Sequence, residues 1–143
     1  MKRISVVLVV FAGLLVIVNA AKAQQNNSGC SNDSLHGHFG LHATGSIIGS
    51  GDFIVLGRFT YDGKGNLKAS LFERLPDGSN AGDTITGTYS VSPNCTVSDV
   101  WHSTITGTDT THESVLVDEG KEFFVLNTTA GKPLIVSGDA KRQ

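Results

Sequence analysis

Beyond residue 23 the chain has no stretch in which apolar residues recur at i, i+3 and i+4 for three turns, and 17 glycines punctuate its 143 residues. Helical bundles and helix-layered α/β folds are thereby excluded. Charge is sparse, at 17% Asp, Glu, Lys and Arg, and no run of Lys or Arg forms the clustered basic footprint that phosphate-backbone binding requires. Nucleic acid is therefore not an expected partner. There is no Gly-x-Ser-x-Gly elbow for a serine nucleophile, and no motif of paired carboxylates. Asp62-Gly63-Lys64-Gly65-Asn66 has the look of a Ca²⁺ loop but lacks the later carboxylate, and Gly63-x-Gly65 lacks the helix and third glycine of a dinucleotide site. No catalytic residue and no cofactor are assigned on these grounds.

One long apolar run does occur, from Ile4 to Val18, after Met1-Lys2-Arg3 and before Asn19-Ala20-Ala21-Lys22-Ala23. A basic start, an apolar middle and an Ala-x-Ala end are the parts of a secretory signal peptide cleaved after Ala23. The run is about 15 residues, short of the roughly 20 a spanning helix needs. Residues 1–23 are read as signal peptide, residues 24–34 as a flexible N-terminal segment, and residues 35–143 as one β domain. The mature protein is expected to be secreted or periplasmic and to leave the membrane on cleavage. Losing Lys2, Arg3 and Lys22 leaves 8 basic against 13 acidic residues, a net charge of −5. In an oxidising compartment the two cysteines, Cys30 and Cys95, are expected to form a disulfide closing a loop of about 65 residues, worth about 3–4 kcal/mol.

What the mature chain does have is alternation. Phe39, Leu41 and Ala43 share one face of a strand over about His36 to Ile48. Phe53, Val55, Gly57, Phe59 and Tyr61 share one face of a second, over about Asp52 to Tyr61, with Ile54 and Leu56 on the other. A third strand spans about Asn66 to Leu75, and Pro76 to Gly82 reads as a loop by composition. A fourth, Asp83 to Val91, sets Ile85, Gly87, Tyr89 and Val91 against Thr84, Thr86, Thr88 and Ser90. The fifth, about Thr96 to Thr106, places Val97, Trp101 and Ile105 together. Strands over Thr111–Asp118, Lys121–Asn127 and Leu134–Lys141 complete the set. Eight short strands joined in order by tight turns predict an all-β, antiparallel, up-and-down barrel, with a two-sheet sandwich as the alternative. Gly57, Gly87 and Gly138 at inward positions suit the sharp bending of a small barrel.

The Asp62–Asn66 turn carries a register constraint. For Phe59 and Tyr61 to face the same side as Leu67 and Ala69, the connection must contain an odd number of residues: three with Gly65 as a left-handed bulge, or five.

Leu35-His36-Gly37-His38-Phe39-Gly40, Gly57-Arg58-Phe59-Thr60-Tyr61-Asp62-Gly63-Lys64-Gly65-Asn66 and Gly87-Thr88-Tyr89-Ser90-Val91-Ser92-Pro93-Asn94-Cys95 together resemble a pattern found in small exported bacterial proteins of uncharacterised function. The resemblance spans most of residues 30–140. It implies a lipocalin-like or allene-oxide-cyclase-like antiparallel barrel and a bacterial source, and it implies no activity.

Three candidate sites follow. A barrel of eight strands either fills its interior or leaves room for one small ligand. The many aromatic rings are read first as filling the core and second as lining a pocket for an apolar molecule at the mouth, with Tyr61, Tyr89 and Trp101 as its expected contacts. This makes a non-catalytic binding or structural module the leading reading. An isomerase- or cyclase-type barrel enzyme would instead need polar groups such as Asn66, Glu113 or His102 to meet inside the barrel. Lastly, His36, His38 and His42 share a strand face, with His36 and His38 about 7 Å apart, a spacing that metal sites on sheets use.

Overall fold

The computed structural model describes residues 29–143; the expected signal peptide and residues 24–28 lie outside the described residues. Among the described residues, eight strands follow in order: β1 His36–Ile47, β2 Gly51–Asp62, β3 Asn66–Arg74, β4 Asn80–Val91, β5 Thr96–Ser103, β6 Asp109–Val117, β7 Glu122–Asn127 and β8 Leu134–Arg142. Each pairs antiparallel with its neighbour in sequence, and β8 returns to β1 through pairs such as Ala140 with Leu41. The barrel is closed, so the sandwich is set aside. Closure also removes the unpaired edges that so Thr- and Val-rich a chain would otherwise expose.

The alternation seen in the sequence decides which side chains face in. Phe39, Leu41, Ala43, Phe53, Val55, Phe59, Tyr61, Leu67, Ala69, Leu71, Ile85 and Tyr89 are all buried, while Ile54, Leu56 and Phe72 lie on the outer wall. Two boundaries differ from expectation. β4 begins at Asn80 because Ala81 and Gly82 continue the ladder opposite Glu73 and Phe72, although their composition reads as loop. β5 ends at Ser103, so Ile105 leaves the inner face and stands 68% exposed on a turn. At Gly87 and Gly138 the neighbouring strand approaches too closely for a side chain. A Cβ at Gly87 would collide with the Val100 carbonyl, and one at Gly138 with the His42 carbonyl.

Three residues, 63–65, separate β2 from β3, and five, 62–66, lie between the last paired residues, Tyr61 and Leu67. The odd count holds Phe59 and Tyr61 on the core side together with Leu67 and Ala69. Asp62 organises the loop. One carboxylate oxygen accepts from the backbone N–H of Lys64 (2.7 Å) and of Asn66 (2.9 Å), and the other from the Asn66 side-chain amide (2.6 Å). Gly63 and Gly65 take positive φ, +74° and +113°, as an Asp-anchored turn of this kind demands. The bond from the Asn66 side chain, and then those from the backbone, lower the Asp62 pKa to about 2. A depressed carboxylate pKa stabilises the fold above the ordinary value of 3.8 and loses that contribution as pH falls towards 2. Asp62→Asn should therefore flatten the stability profile between about pH 4 and pH 2 and leave the slope above pH 5 unchanged. Denaturation curves across that range read this out, and parallel profiles for the two proteins would contradict it.

The two ends of the barrel are built differently. At one end the inward residues are large: Phe39 packs edge-on to Tyr61 (centroids 5.6 Å), Tyr61 to Tyr89 (5.1 Å), and Phe39 against Phe123 (5.5 Å). The N-terminal residues seal this end. The stretch read as part of a flexible segment is folded where it is described, with Asn32–Ser34 in a 3-10 turn. The Tyr89 hydroxyl donates to the Leu35 carbonyl (2.8 Å), and the Asn32 side chain accepts from the Val91 N–H (2.8 Å). Leu35 is buried beneath the turn, and the Cys30–Cys95 disulfide ties it to the β4–β5 connection. Towards the other end most inward residues are smaller, Ala43, Val55, Leu71, Ile85, Ser103 and Val125, with Phe53 the large ring among them. There the barrel is hollow.

A candidate ligand site in one end of the barrel

The hollow is a cavity of about 320 Å³, at the small end of the ~300–1,000 Å³ that ligand sites occupy. Leu41, Val55, Leu71, Ile85 and Val125 from five strands supply its apolar wall, and Leu134 and Val136 of β8 extend it. Trp101 forms part of the lining where the hollow half meets the packed half, its ring 4.7 Å from that of Phe59. It is the chain's single tryptophan, so the site carries its own fluorescent reporter.

Polar groups gather on two sides of this cup. On β5, β6 and β7 they are Ser103, Thr110, His112 and Asn127. The His112 ring stacks on Trp101 at 3.7 Å and is 5% exposed. Its Nε2 lies 3.0 Å from Asn127 Nδ2. Asn127 Oδ1 accepts from the Thr129 N–H, which orients the amide so that its NH₂ donates to His112. Nδ1 then carries the proton and faces Asp99 Oδ1 at 3.3 Å, too poorly aligned for a hydrogen bond. Burial raises the Asp99 pKa, an effect the neighbouring His112 only partly opposes. With Nε2 held by Asn127, one face covered by Trp101 and Nδ1 turned to Asp99, His112 has no free lone pair to offer a substrate. The group orders the wall of the cup; it is not arranged as a general base.

On β3 and β4 stand Glu73 and Asp83. They are inward-facing diagonal neighbours, since Leu71 pairs with Asp83 and Glu73 with Ala81. Both line the cavity. Partial burial, and next the Asp83 charge, raise the Glu73 pKa.

The residues expected from the sequence are distributed as follows. Trp101 lines the cup. Tyr61 and Tyr89 do not: they belong to the packed end, where Tyr89 braces the N-terminal turn and burial holds the Tyr61 hydroxyl well above its ordinary pKa. The pairing of large rings with large rings at the end sealed by residues 30–35 is the physical reason. Asn66, Glu113 and His102 do not meet inside the barrel. All three are exposed, with Asn66 bound to Asp62 at the turn and His102 to Asp109 on the outer wall (2.7 Å). His36, His38 and His42 also face outward. His36 Nδ1 lies 2.6 Å from the Asp33 carbonyl and His38 Nδ1 3.0 Å from the Thr60 hydroxyl. Among the described residues no three His, Cys, Asp or Glu side chains are grouped so as to hold a metal ion.

Glu73, Asp83, Asp99, His112 and Asn127 were not singled out as inward groups by sequence reasoning. The available signal was parity. Asp99 lies between Val97 and Trp101 on their face of β5, and His112 shares a face of β6 with Ser114 and Leu116, all of them buried.

No family model matches the chain, and no curated protein matches it. Solved structures do. The chain is similar to a redesigned β-barrel at 15% identity (TM-score 0.54, covering 78% of this chain and 94% of that one). It is also similar to a de novo designed fluorescence-activating β-barrel at 13% identity (TM-score 0.55, covering 78% and 96%). At such identities the likeness is one of fold alone. Fold and site together define a closed, eight-stranded antiparallel barrel, packed at one end and hollow at the other.

Proposed function

We propose that this is an exported, non-catalytic binding protein of lipocalin-like build that holds one small apolar ligand in the hollow end of its barrel. The observation that carries the reading is the asymmetry of the interior. A cluster of aromatic side chains packs one half, and a mainly aliphatic wall that also includes Phe53 and Trp101 leaves about 320 Å³ open in the other. An apolar concavity of this kind favours apolar ligands because it removes their surface from water. Export is supported by the signal-like residues 1–23 and by the Cys30–Cys95 disulfide, a bond at home in an oxidising compartment. Among the described residues no helix is long and apolar enough to cross a membrane. The non-catalytic reading is supported by His112, whose Nε2 is held by Asn127 and whose Nδ1 is turned to Asp99.

Titration with Nile red, a neutral dye whose emission rises in apolar surroundings, tests the reading. Saturable binding at one site per barrel is expected, with loss of the signal in Ile85→Trp, which fills the cup from β4. No saturable signal from the folded wild-type protein would overturn the proposal.

A further inference from the structure

The chemistry of the cup's rim goes further than its apolar wall. Glu73 and Asp83 both face the cavity from adjacent strands, and among the residues lining it there is no Lys or Arg to neutralise them. The nearest cation in sequence, Arg74, lies on the opposite face of β3 and donates to Asn80 Oδ1 at 3.1 Å. Beneath the carboxylates the wall is mainly aliphatic, with Phe53, Trp101 and His112 completing it. An apolar chamber with two unneutralised carboxylates at its edge is complementary to a molecule that has an apolar body and a positive charge at one end. We propose that the ligand is a cationic amphiphile, an apolar ring system or short chain bearing a protonated amine or other organic cation, seated with its charge against Glu73 and Asp83 and its body in the cup. This rests on the binding reading above and names the ligand's class.

The energetics favour the match. Two like charges beside a half-buried surface repel, and burial and the Asp83 charge together hold the Glu73 carboxyl above its ordinary range. A cation seated there offsets both effects with its opposite charge, and one whose charge is delocalised or shielded by alkyl groups loses less hydration than a compact ammonium. An anion of the same shape would add a third negative charge. The domain's net negative charge would draw cations to the barrel generally; the two rim carboxylates are what would localise them to this end.

Nile blue and Nile red share one fused ring system and differ in charge, the first a cation and the second neutral. The wild-type protein should bind Nile blue at least about tenfold more tightly than Nile red, the equivalent of one step of about 1.4 kcal/mol, and should bind the anion 8-anilinonaphthalene-1-sulfonate more weakly than either. Glu73→Gln/Asp83→Asn should bring Nile blue down to the level of Nile red and leave Nile red unchanged. Glu113→Gln, which removes one charge from the outer wall, should leave the preference intact. Equal affinity of the two dyes for the wild-type protein would overturn the proposal, and so would a preference that survives the rim substitutions or disappears in Glu113→Gln. The wild-type comparison stands without any variant. If Nile red binds and no charge preference is found, only the cationic class fails. If neither dye binds, the binding reading fails with it.

Discussion

Phe39→Ala should lower the unfolding free energy by about 3–5 kcal/mol, the range for truncating a large aromatic in a close-packed core. Phe39 is fully buried, lies between Tyr61 and Phe123, and is capped from the barrel end by the Arg142 guanidinium 5.4 Å from its ring. Nothing in that half can collapse cheaply into the space left behind, because the neighbours are themselves held by T-shaped ring contacts and by the N-terminal turn. The informative comparison is Phe53→Ala. Phe53 is the same residue type and is 7% exposed, but it lines the cup. One side of its ring already faces open space and has no partner atoms to lose. Its truncation should cost less than that of Phe39 by at least about 1 kcal/mol. Urea denaturation of the two variants and the wild type gives the difference directly. Equal losses would mean that the two halves of the barrel are packed alike.

Removing the disulfide should be nearly as costly. Cys30 and Cys95 are 65 positions apart, and opening a loop of that length restores enough freedom to the unfolded chain to lower stability by about 4 kcal/mol on the chain-entropy account. For a domain of this size that corresponds to a fall in Tm on the order of 10–20 °C. The bond also holds the sealing turn, since Cys30 N–H donates to the Pro93 carbonyl and Asn32 is bonded to Val91 beside it. In Cys30→Ser/Cys95→Ser, thermal melts should show the drop, and residues 29–35 should lose amide-exchange protection before any strand does. Nile red affinity measured well below the new Tm should be unchanged, because the cup is at the other end. A melting temperature insensitive to both the substitutions and reductant would contradict this assignment of the disulfide's work.

The barrel itself was legible because its sequence is consistent at every level. Phe39-x-Leu41-x-Ala43, Phe53-x-Val55-x-Gly57-x-Phe59-x-Tyr61 and Ile85-x-Gly87-x-Tyr89 alternate without a break, and the glycines stand at turns and bends. Even the odd parity of the Asp62–Asn66 turn follows from the alternation, because a slip of one residue would put Phe59 and Leu67 on opposite faces. The site was far less legible. Which half is hollow depends on how the strands stagger on closure, and that brings Phe39, Tyr61, Tyr89 and Phe123 to one level of the barrel and Ala43, Val55, Ile85 and Val125 to another. No single strand contains that information. The rings of Tyr61 and Tyr89 were therefore expected at the mouth when they mark the sealed end, and of the three residues expected there only Trp101, where the two halves meet, lines the cavity, together with Phe53. Polar residues misled for a related reason. Asp99 and His112 look like surface residues in composition but sit at inward positions, while His102 and Glu113, one place or three removed, turn outward.

The location of a bound apolar probe is the most direct test of a one-ended binding barrel. Methyl and amide NMR spectra recorded during the Nile red titration should show shifts that saturate together at Leu41, Val55, Leu71, Ile85 and Val125, all lining the cup, with the indole of Trp101 moving in step. Resonances of Leu35, Leu67, Val97 and Leu116, buried in the opposite half, should stay in place. Shifts centred on that sealed half, or on the exposed apolar residues Leu56, Phe72, Phe124 and Leu126 of the outer wall, would contradict the claim that the hollow end of the barrel is the binding site.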